Sequence, residues 1–156
     1  MELGLFEEVG EAVRGIMPSN LGAVRFKAHR YGVKLWFDTD SAPREHYEAQ
    51  VIGAKHVADA TVLALEVGFH AEHPSLADNE ATLERLAKRA RAWRKVIGDD
   101  AVAGPFIGRA DRWRRVSETW PDPDLSDDEI GMEIALRLVD YMTALEPVLR
   151  ARGGRG

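Results

Sequence analysis

Histidine, glutamate and glutamine recur at short spacing in two stretches, His46-Tyr47-Glu48-Ala49-Gln50 and Glu66-Val67-Gly68-Phe69-His70-Ala71-Glu72-His73. Imidazole nitrogens and carboxylate oxygens are the donors that zinc, manganese and iron accept, and the same groups serve as general acids and bases. Which of them can act together depends on the element that carries them. In both stretches apolar residues take every second position: Tyr47, Ala49 and Val51, then Leu63, Leu65, Val67, Phe69 and Ala71. That is the period of a strand, with the apolar residues on one face and the polar ones on the other.

Two strands over 45–52 and 62–72, joined by a loop around residues 53–60, follow from this alternation. A turn near 57–59 sets His46 opposite His70, Glu48 opposite Gly68 and Gln50 opposite Glu66. The expected metal ligands are His46, His70 and Glu72, for zinc or manganese, with Glu48 and Glu66 in catalytic roles. His73 lies three residues beyond His70, so strand parity turns it to the opposite face. No local motif such as HExxH is present. The bare polar face of an antiparallel sheet shows the same alternation without a metal.

The surrounding elements must position these groups. Leu3, Phe6, Val9, Val13 and Ile16 recur at three- and four-residue spacing and predict a helix over 2–17. Gly4 and Gly10 weaken it by about 1 kcal/mol each relative to Ala, so it must depend on docking. Val24, Phe26 and Ala28, then Val33, Leu35 and Phe37, alternate about Arg30-Tyr31-Gly32 and predict a hairpin. Trp36 and Asp38 from this hairpin are expected to flank the polar surface and bind there with Gln50. Leu83, Leu86, Ala90, Trp93 and Ile97 form one helical stripe between Ser75, a capping residue, and Gly98, a stop. Residues 99–125 read as irregular, with a short edge strand over 112–120. Ser126 and Glu129 form a capping-box pattern for a last helix that Pro147 should kink or end.

Asp38 followed by Glu48-Ala49-Gln50 on the next strand loosely resembles a variant of the PD-(D/E)XK nuclease pattern. The resemblance implies carboxylates that hold a divalent cation to activate water, on a sheet preceded by a helix. No proline-aspartate pair precedes, and Gln50 stands where that family usually has lysine. The match covers about a third of the chain and uses permissive residue types.

Composition narrows the field further. The 156 residues contain no cysteine, which removes disulfides, thiolate metal sites and cysteine nucleophiles, and a cytoplasmic protein is the expectation. Between Arg85 and Arg115 ten basic residues face three acidic ones, leaving +7 there and −12 elsewhere in a chain of net −5. The basic helix over 85–95 suits an acidic partner, and Arg112 with Trp113 forms a second candidate binding cluster. Trp93 has core spacing, which disfavours a base-stacking platform, so a protein partner or self-association is expected ahead of nucleic acid.

The fold expected is α+β: one domain over 1–150 with a tail at 151–156. An antiparallel sheet of about four strands carries the N-terminal, central and C-terminal helices on its apolar face. The leading functional expectation is a non-enzymatic binding or interaction module that uses the polar sheet face. The alternative is a metal-dependent, phosphodiesterase- or nuclease-like hydrolase.

Overall fold

A computed structural model describes residues 4–151. It is α+β, with a six-stranded antiparallel sheet in the order β1-β2-β3-β4-β6-β5. Helix α1 spans Leu5–Ile16, β1 Val24–His29, β2 Gly32–Phe37, β3 Glu45–Gly53 and β4 Leu63–Ala71. They are followed by α2 Leu76–Ala87, α3 Ala90–Ile97, β5 Val102–Phe106, β6 Arg109–Pro121 and α4 Ile130–Ala151. No helix is long and apolar enough to cross a membrane among the described residues.

The alternation at 45–52 and 62–72 resolves as the central ladder. β3 and β4 pair antiparallel with His46 opposite His70, Glu48 opposite Gly68 and Gln50 opposite Glu66. Their odd-numbered residues Tyr47, Ala49, Leu65, Val67 and Phe69 are buried in the core. Onto that face pack Phe6, Val9 and Val13 of α1, Trp93 and Ile97 of α3, and Ile134, Leu138, Tyr141 and Leu145 of α4. Burying each such side chain contributes roughly 1.5–3 kcal/mol. Gly10 explains how α1 docks: a Cβ there would lie 2.4 Å from the Phe26 ring, so only glycine admits this approach. The weak helix and its close docking are one feature.

Four expectations are corrected. The sheet has six strands because 99–125 folds as a hairpin whose second strand pairs with β4, and β6 is no short edge strand. It is thirteen residues long and lies between β4 and β5. β5 is the edge, where Pro105 is tolerated because an edge strand need not donate on both sides. The central helix breaks after Ala87 into α2 and α3, and the Trp93 indole N–H donates to the Leu86 carbonyl across the break at 2.8 Å. Ser75 does cap α2, accepting from Asp78 N–H, and Gly98 closes α3 with φ +94°. The last helix starts at Ile130, not Ser126. Asp127 accepts the Glu129 N–H at 2.8 Å, while the Ser126 hydroxyl donates to Asp124, so no capping box forms. Pro147 lies inside α4, which continues to Ala151. The rest of the expected tail, and Leu3 of the first helix, lie outside the described residues.

β6 is hard to read from local pattern because Glu118 sits at an apolar-face position, opposite Val67. Its carboxylate accepts from Arg137 at 2.7 Å and Tyr141 at 2.8 Å through one oxygen, and from Trp120 at 2.8 Å through the other. Burial pushes this carboxyl up, but those donors and the guanidinium charge outweigh it and hold it below the ordinary value. A depressed folded-state value contributes stability that is complete above the ordinary value of about 4.3 and fades as pH falls below it. Glu118→Gln should therefore destabilise the protein by about 2 kcal/mol at pH 7. In chemical denaturation the gap to wild type should narrow steadily as pH falls below about 4.3. A gap that stayed constant would contradict this account of β6.

Candidate metal centre

β3 and β4 present their even-numbered residues on the sheet face opposite the helices. Each strand supplies two donors: His46 and Glu48 from β3, His70 and the residue just past β4, Glu72. One possible ligand atom from each of the four lies within 4.8 Å of every other. Nitrogens and oxygens alternate around this ring. His46 Nε2 is 3.3 Å from Glu48 Oε1 and 3.3 Å from Glu72 Oε2. His70 Nδ1 is 3.0 Å from Glu48 Oε1 and 3.4 Å from Glu72 Oε2.

The outer nitrogens of both rings are anchored. His46 Nδ1–H donates to the Pro43 carbonyl at 2.9 Å, and His70 Nε2–H donates to Glu66 Oε2 at 2.9 Å. These bonds orient the rings so that the remaining nitrogens face the two carboxylates, the arrangement by which outer-shell groups fix a metal-binding histidine. Glu66 is fully buried and accepts two further bonds, from Ser117 Oγ at 2.6 Å and Gln50 Nε2 at 2.7 Å. Gly68 makes this possible. Its φ is +154°, and a Cβ would lie 2.4 Å from the Val116 carbonyl oxygen and 2.6 Å from Ser117 Cα. Gly68, opposite Glu48 on one side, is thus where β6 closes in on the other and delivers Ser117.

The electrostatics follow from burial and pairing. Burial pulls the His46 imidazole down, yet bonds to Glu48 and Glu72 raise it above its ordinary value. His70 is raised further, with burial again opposed by Glu66, Glu48 and Glu72. Burial would raise Glu66, but the His70 charge and the bonds from His70, Ser117 and Gln50 bring it down to about 2. Glu48 and Glu72 are held low by both histidines against the same desolvation. His46, Glu48 and His70 are at most 5% exposed, and the Glu72 side chain is 12% exposed. Phe106 covers His70, ring centroids 4.5 Å apart at 72°, and Trp113 stacks edge-on behind it at 5.3 Å.

The other residues singled out from the sequence lie elsewhere. Asp38 takes φ +68° and directs its carboxylate to the Ala23 N–H at 2.9 Å, so it does not join Glu48 as the nuclease pattern requires. Trp36 is buried and donates its indole N–H to Thr39 O at 2.7 Å, which makes it a loop anchor and not an open platform. Arg112 is exposed, and its carbonyl accepts from the Asn79 side chain at 2.9 Å. His73 lies on the helix side, bonded to Glu45 at 2.8 Å, as strand parity requires. Local sequence pattern does not reach Pro43, Phe106 or Ser117. Ser117 becomes legible once β6 is paired with β4, whereas Phe106 sits at a register shift beside Pro105 that no local pattern announces.

Compared with known proteins, the chain matches no family, no curated protein and no solved structure.

Removing the Glu66 carboxylate leaves an imidazole N–H, a hydroxyl and an amide unpaired inside the sheet. Glu66→Ala should cost about 3–5 kcal/mol, as for breaking a buried pair by deleting one partner. Glu66→Gln, which keeps the shape, should cost less. Equilibrium unfolding checks both, and a loss below about 1 kcal/mol for the alanine variant would refute the role given to Glu66.

Proposed function

We propose that this domain binds one divalent first-row metal ion through His46, Glu48, His70 and Glu72, and that it holds the ion without using it for hydrolysis. The observation that carries this reading is the alternating ring of nitrogen and oxygen donors with both imidazoles anchored from outside. Donors of a tetrahedral zinc with bonds of about 2.0–2.1 Å lie about 3.3–3.4 Å apart. The four nitrogen–oxygen separations, 3.0–3.4 Å, match four of the six edges of such a site, and the two pairs across the ring lie within 4.8 Å. The set of two imidazoles and two carboxylates suits zinc best and manganese next.

Catalytic metal centres keep a position open to water or substrate, whereas closed ones fill it with protein ligands. The enclosure of this cluster, with Phe106 over His70, favours the closed class. Glu66 lies behind His70, suited to orienting that ring and poorly placed to activate water in front of it. Three of the four ligands come from one ladder that nine paired positions already hold together, and Glu72 follows it directly with its N–H on the Arg44 carbonyl at 2.9 Å. A structural zinc usually ties segments that would otherwise part. An ion here would instead occupy a framework that forms without it, which supports a metal-holding or metal-responsive role.

Isothermal titration of metal-free protein with zinc should give one ion per chain, with manganese weaker. At a hundredfold excess over Kd the ion adds about 2.7 kcal/mol, a rise in Tm of roughly 5–10 °C. His46→Ala and Glu72→Gln should each lower the affinity at least tenfold. No heat of binding, together with a Tm indifferent to zinc, manganese and chelator, would reduce the cluster to a metal-free polar network.

A further inference from the structure

Independently of the metal reading, a groove at the other side of the core points to a partner. It lies between the α2–α3 junction and the last turn of α4, encloses about 420 Å³, and is lined by Arg85, Lys88, Arg89, Ala92, Pro147, Val148 and Ala151. Three cations and no carboxylate line it, above an apolar floor of alanine, proline and valine. α2 and α4 both end here, so part of this charge offsets the negative ends of two helices. Arg85 is engaged within the chain and donates to the Thr82 hydroxyl at 3.3 Å, which leaves Lys88 and Arg89 as the cations open to a ligand. The Arg89 side chain has no hydrogen-bond or ion-pair partner among the described residues. Lys88 reaches Glu84 only at 3.7 Å, with both side chains 73% exposed, an arrangement worth little in water.

We propose that this groove docks an acidic peptide segment of a partner protein, one that combines aspartate or glutamate with aliphatic side chains. Carboxylates would meet Arg89 and Lys88 at the rim, and aliphatic groups would cover Ala92, Pro147 and Val148. Two features select a peptide over nucleic acid. Trp93, the one aromatic residue of α2 and α3, is 1% exposed with its N–H on Leu86, so it offers no face to a base. A phosphate backbone also gains nothing from an aliphatic floor.

The test is fluorescence polarisation of the full chain with a labelled peptide of alternating glutamate and leucine pairs. Parallel arms use a labelled DNA duplex and vesicles of anionic phosphatidylglycerol. The expected result is peptide binding that weakens as salt rises from about 50 to 300 mM, on the scale set by Debye screening of about 8–10 Å near 0.15 M. Lys88→Glu with Arg89→Glu should weaken it at least tenfold. Arg91→Glu with Lys95→Glu, an equal charge change on α3 outside the groove lining, should alter it less than threefold. Equal losses in the two double variants would show a response to net charge and overturn the proposal. So would no peptide binding at the lowest salt, or tighter binding of the duplex or the vesicles.

Discussion

An ionised carboxylate enclosed between three strands costs several kcal/mol unless positive charge and donors meet it at close range. Glu66 is that carboxylate, and much of the sheet is arranged around satisfying it. His70 supplies the charge, Ser117 and Gln50 the further donors, each from a different strand or a different position on the ladder. Gly68 is the geometric condition: without its missing Cβ, β6 could not approach closely enough to bring Ser117 to bear. His70, drawn to Glu66 on one side, needs acceptors on its other nitrogen. Glu48 and Glu72 answer that need, and they in turn require His46. The four-residue ring is the outer half of one network whose inner half is Glu66.

The sheet carries a second buried carboxylate on its helix face, and the contrast is instructive. Glu118 is met by Arg137, Tyr141 and Trp120, so its charge is neutralised by a guanidinium that cannot lose its proton. That cluster ties α4 to β6, and its cation, a guanidinium, does not give up a proton for a metal. The cluster on the opposite face is built from imidazoles, which can. The two networks solve the same desolvation problem with different cations, and only one of the solutions is exchangeable.

How much of this is legible in the sequence depends on whether a residue obeys the local period. The β3–β4 register is readable to the residue because Tyr47, Ala49, Val51 and their partners in 63–71 alternate without interruption. The pairing of His46 with His70 follows directly. β6 is not readable, since Glu118 occupies a core position and arginines crowd its first half. Without β6, Ser117 has no visible partner and the close approach at Gly68 has no visible cause. The break between α2 and α3 is hidden for a related reason: the apolar stripe from Leu83 to Ile97 runs through it, and Trp93 repairs the interruption with a side-chain bond. The helix start at Ile130 is masked by a capping pattern that competing aspartates override.

The environment of the ring also bears on what it is for. Carboxylates that raise the affinity of both buried imidazoles for a proton supply the field that would hold a dication between the same rings. Two protons and one divalent ion carry equal charge, so either occupant leaves the surrounding carboxylates balanced and the outer bonds to Pro43 and Glu66 intact. Such a site need not reorganise its strands to change occupant, because the inner nitrogens and oxygens already stand at 3.0–3.4 Å. Phe106 sits on an edge strand, at a register shift, beside a proline that cannot donate to the ladder. Edge segments of this kind open more readily than the central ladder beneath them. The central ladder therefore sets the geometry of the ring, and an edge strand packs Phe106 against one of its imidazoles.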